Sequence, residues 1–311
     1  MPTAESLPTV LLLKTRFIFN PKSGHNARNP YLLGKTRAFI AEHRLDATVV
    51  LTERPRHGTE LARRAVDEGC ERVVAIGGDG TLNEIAGALV GAPAALGLIP
   101  CGSGNGLGRH LGIPGPGKGA FRTLLNGTVR SIDTGTANGH PFFNVMGLGF
   151  DADLSARFNL LERRGLRAYA TTTLAMIFRY EPESFVISTP ERRHETRGFI
   201  VAVANSDQYG NDCFIAPGAS VDDGLLDLTV LRPRTLWHAL PLLPRLFLGS
   251  VGRSGSVDQI RAPRFTIERK APGLFHTDGE THPCGPVVEV AVRPRSLRVL
   301  VPADQAPGEP G

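Results

Sequence analysis

The chain reads as an α/β protein with an N-terminal doubly wound parallel sheet and a C-terminal half dominated by antiparallel strands, a β-sandwich. Three observations predict this. Over the first third, short β-branched runs end in glycine- or asparagine-rich turns and alternate with segments of helical period. Near Asp133 the rhythm changes, and strand-like runs follow one another with turn signals between them. The 311 residues, 41% of them apolar, are also enough to fill two cores.

The elements follow in order. Residues 15–19 predict a strand that ends at Asn20-Pro21-Lys22-Ser23-Gly24, and residues 29–43 a helix. Residues 47–51 predict a second strand, closed by Thr52, and residues 59–68 a helix with Gly69 just past its end. Residues 72–76 are a buried parallel strand by composition. They run into Gly77-Gly78-Asp79-Gly80-Thr81-Leu82-Asn83-Glu84, after which Leu82, Ile85, Ala86 and Leu89 recur at helical spacing. Residues 95–100 give a fourth strand and a second glycine-rich turn, Gly102-Ser103-Gly104-Asn105-Gly106. Strand ends in such a sheet share one edge, where ligands bind.

A short helix is expected at 120–126, then a hairpin about Asn138-Gly139 joining 133–136 to 142–146. Further strands are predicted at 184–188, 198–204, 225–231, 264–268, 287–292 and 296–301. Helical stretches are predicted at about 153–180 and 236–251. The ends, 1–8 and 303–311, carry no pattern of a packed element.

Composition excludes several classes. The net charge of +5 is spread along the chain, which favours anionic partners without choosing among them. Cys70, Cys101, Cys213 and Cys284 lack CxxC spacing and are expected as reduced thiols in a cytoplasmic protein. No signal peptide or membrane-spanning run is expected. There is no GxxxxGK[ST], no GxGxxG between strand and helix, no HExxH and no GxSxG. The nine histidines are scattered and are expected at the surface or in loops. No aromatic–basic pattern of nucleic-acid binding is present.

What remains is a set of turns at strand ends. Glycines let a backbone approach a ligand closely, and a helix start offers N–H groups suited to phosphate. Asn20–Gly24 supplies backbone N–H groups, a hydroxyl and a cation, although NPxSG is also an ordinary turn. Ser103 and Asn105 sit on the loop after the fourth strand. Downstream, Thr277-Asp278-Gly279-Glu280 places two carboxylates at a turn. Phosphoryl transfer requires a phosphate cradle, a carboxylate for Mg²⁺ and a base near the acceptor hydroxyl. Asp79, Asp278 and Glu280 can supply the last two.

In this order the motifs resemble the diacylglycerol kinase catalytic-domain superfamily, which includes bacterial lipid kinases and sphingosine and ceramide kinases. The matching series is NPKSG at Asn20, Thr52, GGDGTLNE at Gly77, Pro100 to Asn105, Asn144 to Ala152, Val203-Ala204-Asn205, Ala216-Pro217, Ser220 to Asp227 and Asp278-Gly279-Glu280. The resemblance implies a nucleotide domain like those of NAD kinases and phosphofructokinases over residues 10–133. A returning segment at about 297–303 would complete it, and a β-rich lipid-substrate domain would span 134–296. It implies that ATP is contacted by Asn20, Pro21, Lys22, Ser23, Gly24, Thr52, Gly77, Gly78, Asp79, Gly80, Thr81, Leu82, Asn83 and Ser103. Ser103 stands where relatives more often have Thr. It implies Glu280 as catalytic base with Asp278 beside it, and a structural Mg²⁺ at Ser220, Asp223 and Leu225, with carbonyl oxygens from Ser220 and Leu225, an all-oxygen set of the kind Mg²⁺ prefers.

A lipid kinase implies a lipid substrate and peripheral contact with the inner face of a membrane. Residues 160–180, with Arg163, Arg164, Arg167 and Arg179, and residues 236–251, with Trp237, combine basic and apolar side chains as an anionic interface would. Both also read as ordinary packed helices. Two other functions stay open: a soluble-substrate kinase of the NAD kinase or phosphofructokinase type, and a non-catalytic lipid-binding protein. The lipid acceptor and the oligomeric state, a homodimer among the options, are not specified by the sequence.

Overall fold

A computed structural model describes residues 13–159, 181–233, 238 and 240–303. Contacts divide the chain into two compact units, one running to Ser131 and resuming at Leu297, the other Ile132–Ser296. The expected helical segment at 160–180 lies outside the described residues, as do residues 234–237, with Trp237, and 239.

In the first unit, strands β1 (Thr15–Phe19), β2 (Ala47–Leu51), β3 (Arg72–Gly77) and β4 (Ala95–Pro100) form a parallel sheet in the order β2-β1-β3-β4. β3 and β4 are buried along their whole length, which is why they read as unbroken apolar runs. β2, at the edge, alternates. Helices α1 (Gly24–Arg28), α2 (Tyr31–Glu42), α3 (His57–Asp67), α4 (Asp79–Leu89), α5 (Gly106–His110) and α6 (Lys118–Asn126) make the connections. Phe17, Phe39, Val74, Ile76, Ile99 and Leu124 fill one core, in which Phe39 and Phe121 pack at a ring separation of 4.6 Å. α3 ends as its sequence predicts. Gly69 takes φ +76°, and the N–H groups of Gly69 and Cys70 close back on the carbonyls of Val66 and Ala65.

In the second unit, β5 (Thr128–Ala137) turns at Asn138-Gly139, both at positive φ, into β6 (His140–Phe142). The hairpin partner is therefore shorter than expected, because β7 (Val145–Gly149) joins the other sheet and leads into α7 (Phe150–Asn159). β8 (Glu183–Ser188), β9 (Arg193–Gly198), β10 (Ile200–Ala204) and β11 (Leu226–Leu231) follow. After α8 (Leu242–Phe247) come β12 (Val257–Ala262), β13 (Arg264–Arg269), β14 (Gly273–Thr277), β15 (Glu280–Cys284) and β16 (Val287–Val301).

One antiparallel sheet runs β12-β11-β10-β7-β14-β15, and β13 pairs with β8 and with the start of β16 in the other. Met146, Leu148, Val203 and Leu228 of the first meet Phe185, Ile187, Phe265 and Val288 of the second in a shared core, a β-sandwich. β16 is one strand where two were expected. Arg295, at φ +47°, bends it without ending it, and its last residues pair in parallel with β4 at Leu96. Of the helix expected over 236–251, the described residues show α8 and a short 3-10 turn at Val251–Arg253.

Two histidines correct the expectation that all are superficial: His276 and His282 are buried. His276 Nε2 lies 2.8 Å from Asp151 Oδ2, to which the Tyr209 hydroxyl donates at 2.6 Å. Burial opposes the charge on Asp151, but His276 and Tyr209 outweigh it and hold its pKa low. Burial likewise opposes the charge on His276, and Asp151 overrides it. Gly147 leaves the space in which the two side chains meet, since a Cβ there would overlap both. Gly147→Ala is expected to destabilise the protein by about 1–3 kcal/mol, as overpacking does; thermal unfolding of the variant checks this.

Candidate active site

Four strand ends of the first unit converge. Asn20, after β1, donates Nδ2–H to Thr81 Oγ1 (2.8 Å) and accepts the Lys22 N–H on Oδ1 (2.9 Å). Lys22 Nζ reaches the Glu53 carbonyl after β2 (3.2 Å), and the Ser23 hydroxyl faces the Cys101 carbonyl after β4 (3.5 Å). Thr52 is buried, its N–H on the Phe19 carbonyl at 2.9 Å. The turns after β3 and β4 touch backbone to backbone. A Cβ on Gly102 would come within 2.8 Å of Gly78 Cα, and one on Gly77 within 2.6 Å of Thr81. A Cβ on Gly24 or Gly80 would meet nothing. Packing therefore requires Gly77, Gly78 and Gly102, while Gly24 and Gly80 border open space.

Asp79 ties the two turns together. Its Oδ2 accepts the Asn105 N–H (2.9 Å) and its Oδ1 the Gly106 N–H (3.0 Å). Asn105 sits at φ +52° and closes its own loop through Gly102 N–H and C=O, both at 2.8 Å. Gly78 caps α4 with no side-chain hydrogen bond, so the first-turn N–H groups of that helix have no intrahelical acceptor. Leu82 turns into the core, Asn83 is half-buried, and Ser103 is exposed on its loop with Pro21 half-buried across the first turn.

Glu84 has a task that its motif does not disclose. Its carboxylate accepts the N–H groups of Arg56 and Gly58, both at 2.9 Å, and so caps α3 from a neighbouring helix. A Glu at the sixth residue of a helix carries no sequence signal for this role.

The carboxylates of the second unit divide between two roles. Asp278, at φ +50°, and Gly279, at φ +86°, form the turn between β14 and β15. Asp278 Oδ2 accepts the Phe143 N–H (2.7 Å), and its Oδ1 accepts those of Asn144 and Val145 (both 2.9 Å). Burial pushes its pKa up to about 6 against the pull of these three amides and of His276. Asp278 is thus a positioning residue that fixes the 143–145 loop. Glu280, two residues on, is exposed at the start of β15. The Asn159 side chain donates to the Gly279 carbonyl (2.8 Å) and tethers the turn from α7.

The residues expected to hold a structural Mg²⁺, Ser220, Asp223 and Leu225, lie on one loop, whose side chains bond within the protein. Asp223 accepts the Leu225 N–H on Oδ1 (3.0 Å) and is ion-paired through Oδ2 with Arg261, whose Nε also lies 3.1 Å from Asp227. The Ser220 hydroxyl donates to Asp222 (2.7 Å). The cation held by this loop is an arginine of the chain itself. Among the described residues no three His, Cys, Asp or Glu side chains converge as metal ligands. Burial also pushes the Cys101 and Cys213 thiols up to about 12, which leaves them inert at neutral pH.

Residues 14–137 match the family described as the diacylglycerol kinase catalytic domain, and residues 144–301 match the YegS C-terminal NAD kinase β-sandwich-like domain. The chain belongs to the diacylglycerol kinase family. It is 32% identical to a protein of Chromohalobacter salexigens named "Probable lipid kinase YegS-like", over 87% of each chain. It is 29% identical to a diacylglycerol kinase of Mycobacterium tuberculosis, over 93% of this chain and 95% of that one. A crystal structure of a diacylglycerol kinase from Bacillus anthracis shares the fold, with a TM-score of 0.70 and 18% identity over 93% and 96% of the two chains. Membership carries kinase chemistry and the use of ATP.

Two outcomes test this geometry. Asp79→Ala removes the acceptor of two amides, each charge-assisted bond contributing about 1.5–3 kcal/mol. It is expected to lower the melting temperature and to weaken ATP binding at least tenfold by calorimetry; unchanged nucleotide affinity would remove Asp79 from the site. Arg261→Met, at a half-exposed pair, is expected to cost about 1 kcal/mol, or a fall of about 2–4 °C. A Mg²⁺-dependent rise in the wild type that Asp223→Ala abolishes would place a metal in that loop, and the same response in both would exclude it.

Proposed function

We propose that this protein is an ATP-dependent lipid kinase, which transfers the γ-phosphoryl group of ATP to a hydroxyl of a diacylglycerol- or sphingosine-like lipid. The observation that carries the reading is the uncapped α4 N-terminus, held against the Gly102–Asn105 loop by Asp79 and bordered by the open faces of Gly24 and Gly80. Main-chain N–H groups at such a helix start suit a polyphosphate. Lys22 and the hydroxyls of Ser23 and Ser103 supply the charge and polar contacts that a nucleotide takes up at strand ends. Mg²⁺ enters with ATP and screens its phosphates; Asp79 is the carboxylate of this unit placed to face it.

Glu280 takes the proton of the acceptor hydroxyl. Asp278 is the poorer base, because both of its oxygens already accept main-chain N–H groups. What Asp278 contributes is a fixed turn from which Glu280 projects. The relatives named lipid and diacylglycerol kinases support a lipid acceptor over the sugar phosphates or dinucleotides of related folds.

The test is a phosphorylation assay with ATP and Mg²⁺ against diacylglycerol, monoacylglycerol, a sphingoid base, ceramide and phosphatidylglycerol, with NAD and fructose 6-phosphate as soluble controls. One of the lipids is expected to be labelled; labelling of a soluble acceptor alone would overturn the reading. Glu280→Gln is expected to lower kcat by roughly 10²–10⁴ with ATP affinity nearly unchanged, as for loss of a general base. Asp278→Asn places an N–H against the amides of the 143–145 loop and is expected to lower the melting temperature together with kcat. A Glu280→Gln variant that keeps its turnover would move the base elsewhere.

A further inference from the structure

We infer that α8 and the residues flanking it dock this protein on an anionic lipid bilayer, through Leu240, Leu243, Phe247 and Leu248 with Arg245 and Arg253. The inference rests in part on the lipid-kinase reading, which places the acceptor in a bilayer.

Of the eight large apolar side chains exposed among the described residues, these four lie within nine positions. Leu240 and Leu243 are each 45% exposed, Phe247 55% and Leu248 77%. α8 is apolar on both sides. Leu242 and Leu246, four apart, turn inward, where Leu246 packs on a cluster that includes Ile215 and Val251. Leu243 and Phe247, also four apart, point outward. A surface helix ordinarily sets polar residues on its outer face, and one that is apolar all round has a second partner. The outer face is also held firmly, because the Leu246 carbonyl accepts the Phe214 N–H at 2.9 Å.

Charge selects the occupant. From Leu228 to Val257, thirty residues, the sequence has no Asp or Glu and four arginines. Arg253 is exposed beside the patch and Arg245 is half-exposed within it. Apolar side chains that enter the acyl boundary, with guanidinium groups at headgroup level, are the pattern of an interfacial segment on anionic lipid. Four side chains at these exposures offer on the order of 400 Å², about half of what each partner in a stable dimer buries. A bilayer needs no such minimum area.

The test is flotation of the full chain, without ATP, on vesicles of phosphatidylcholine with or without 30% phosphatidylglycerol (a mole fraction of about one third). The wild type is expected to float with the anionic vesicles and at least tenfold less with phosphatidylcholine alone. The variant L243S/F247S/L248S is expected to lose at least tenfold in binding at an unchanged melting temperature. The separate variant Arg253→Glu, at an exposed position, is expected to lose the preference for anionic vesicles.

Wild-type protein that stays in the aqueous fraction would overturn docking, and so would a triple variant that floats equally well. A wild-type dimer in sedimentation equilibrium that the triple variant abolishes would assign the patch to a second copy of the chain and likewise overturn it. Turnover on a short-chain, water-soluble diacylglycerol separates this from the kinase reading. The triple variant is expected to keep it while losing turnover on vesicle lipid. Absence of any lipid phosphorylation with flotation intact would sink the kinase reading and leave docking standing.

Discussion

Carboxylates that accept main-chain N–H groups from distant loops hold both units of this protein in shape. Asp79 takes two amides of the loop after β4, Glu84 two at the start of α3, and Asp133 those of Gly224 and Arg295 at 2.7 Å each. Asp278 takes three from the 143–145 segment. Each bond joins residues at least 26 positions apart. The loop after β4 is mostly glycine and polar residues, with few apolar contacts to order it. A charged acceptor makes each such bond roughly twice as strong, and an amide stripped of it would be left unsatisfied.

That constraint explains which parts of the structure were legible in the sequence. The parallel strands were, because burial on both faces demands β-branched runs such as Val73–Ile76, and the glycine turns that end them are unmistakable. The polar strands β9, Arg-His-Glu-Thr-Arg-Gly, and β12, Val-Asp-Gln-Ile-Arg-Ala, were not, since each has a solvated face and few apolar residues. β15 carries a proline and three polar residues in five positions, and only its pairing with β14 makes it a strand. The proline-arginine pairs near 293–296 suggested a break in β16 where a single residue of positive φ suffices to bend it.

Roles were harder to read than positions. The convergence of Asn20, Thr52, Gly77 and Ser103 follows from the order of strands and was foreseeable. Whether an aspartate meets a ligand, a metal or a backbone amide is decided by neighbours remote in sequence. Asp223 illustrates this: the Asp-Asp-Gly turn suits a cation by composition, and the group paired with its carboxylate is Arg261, 38 positions away. His276 is the same case in reverse. A lone histidine gives no hint of burial, and the glycine that makes room for it, Gly147, lies on another strand.

The two carboxylates of the Asp278-Gly279-Glu280 turn show how a structural demand can position a chemical one. A type I′ geometry requires positive φ at both central residues, which aspartate tolerates and glycine prefers. Asp278 meets the demand of the turn and uses its side chain to clamp the segment before β7. The exposed position of the turn then falls to Glu280, at the register pair with Thr277. A residue locked by three amides is an anchor, whereas the exposed glutamate beside it has the reach of one more methylene. Exchange of the two residues would preserve composition and charge and is expected to lose both the clamp and the proposed base, because a longer side chain overfills the one position and a shorter one falls short at the other.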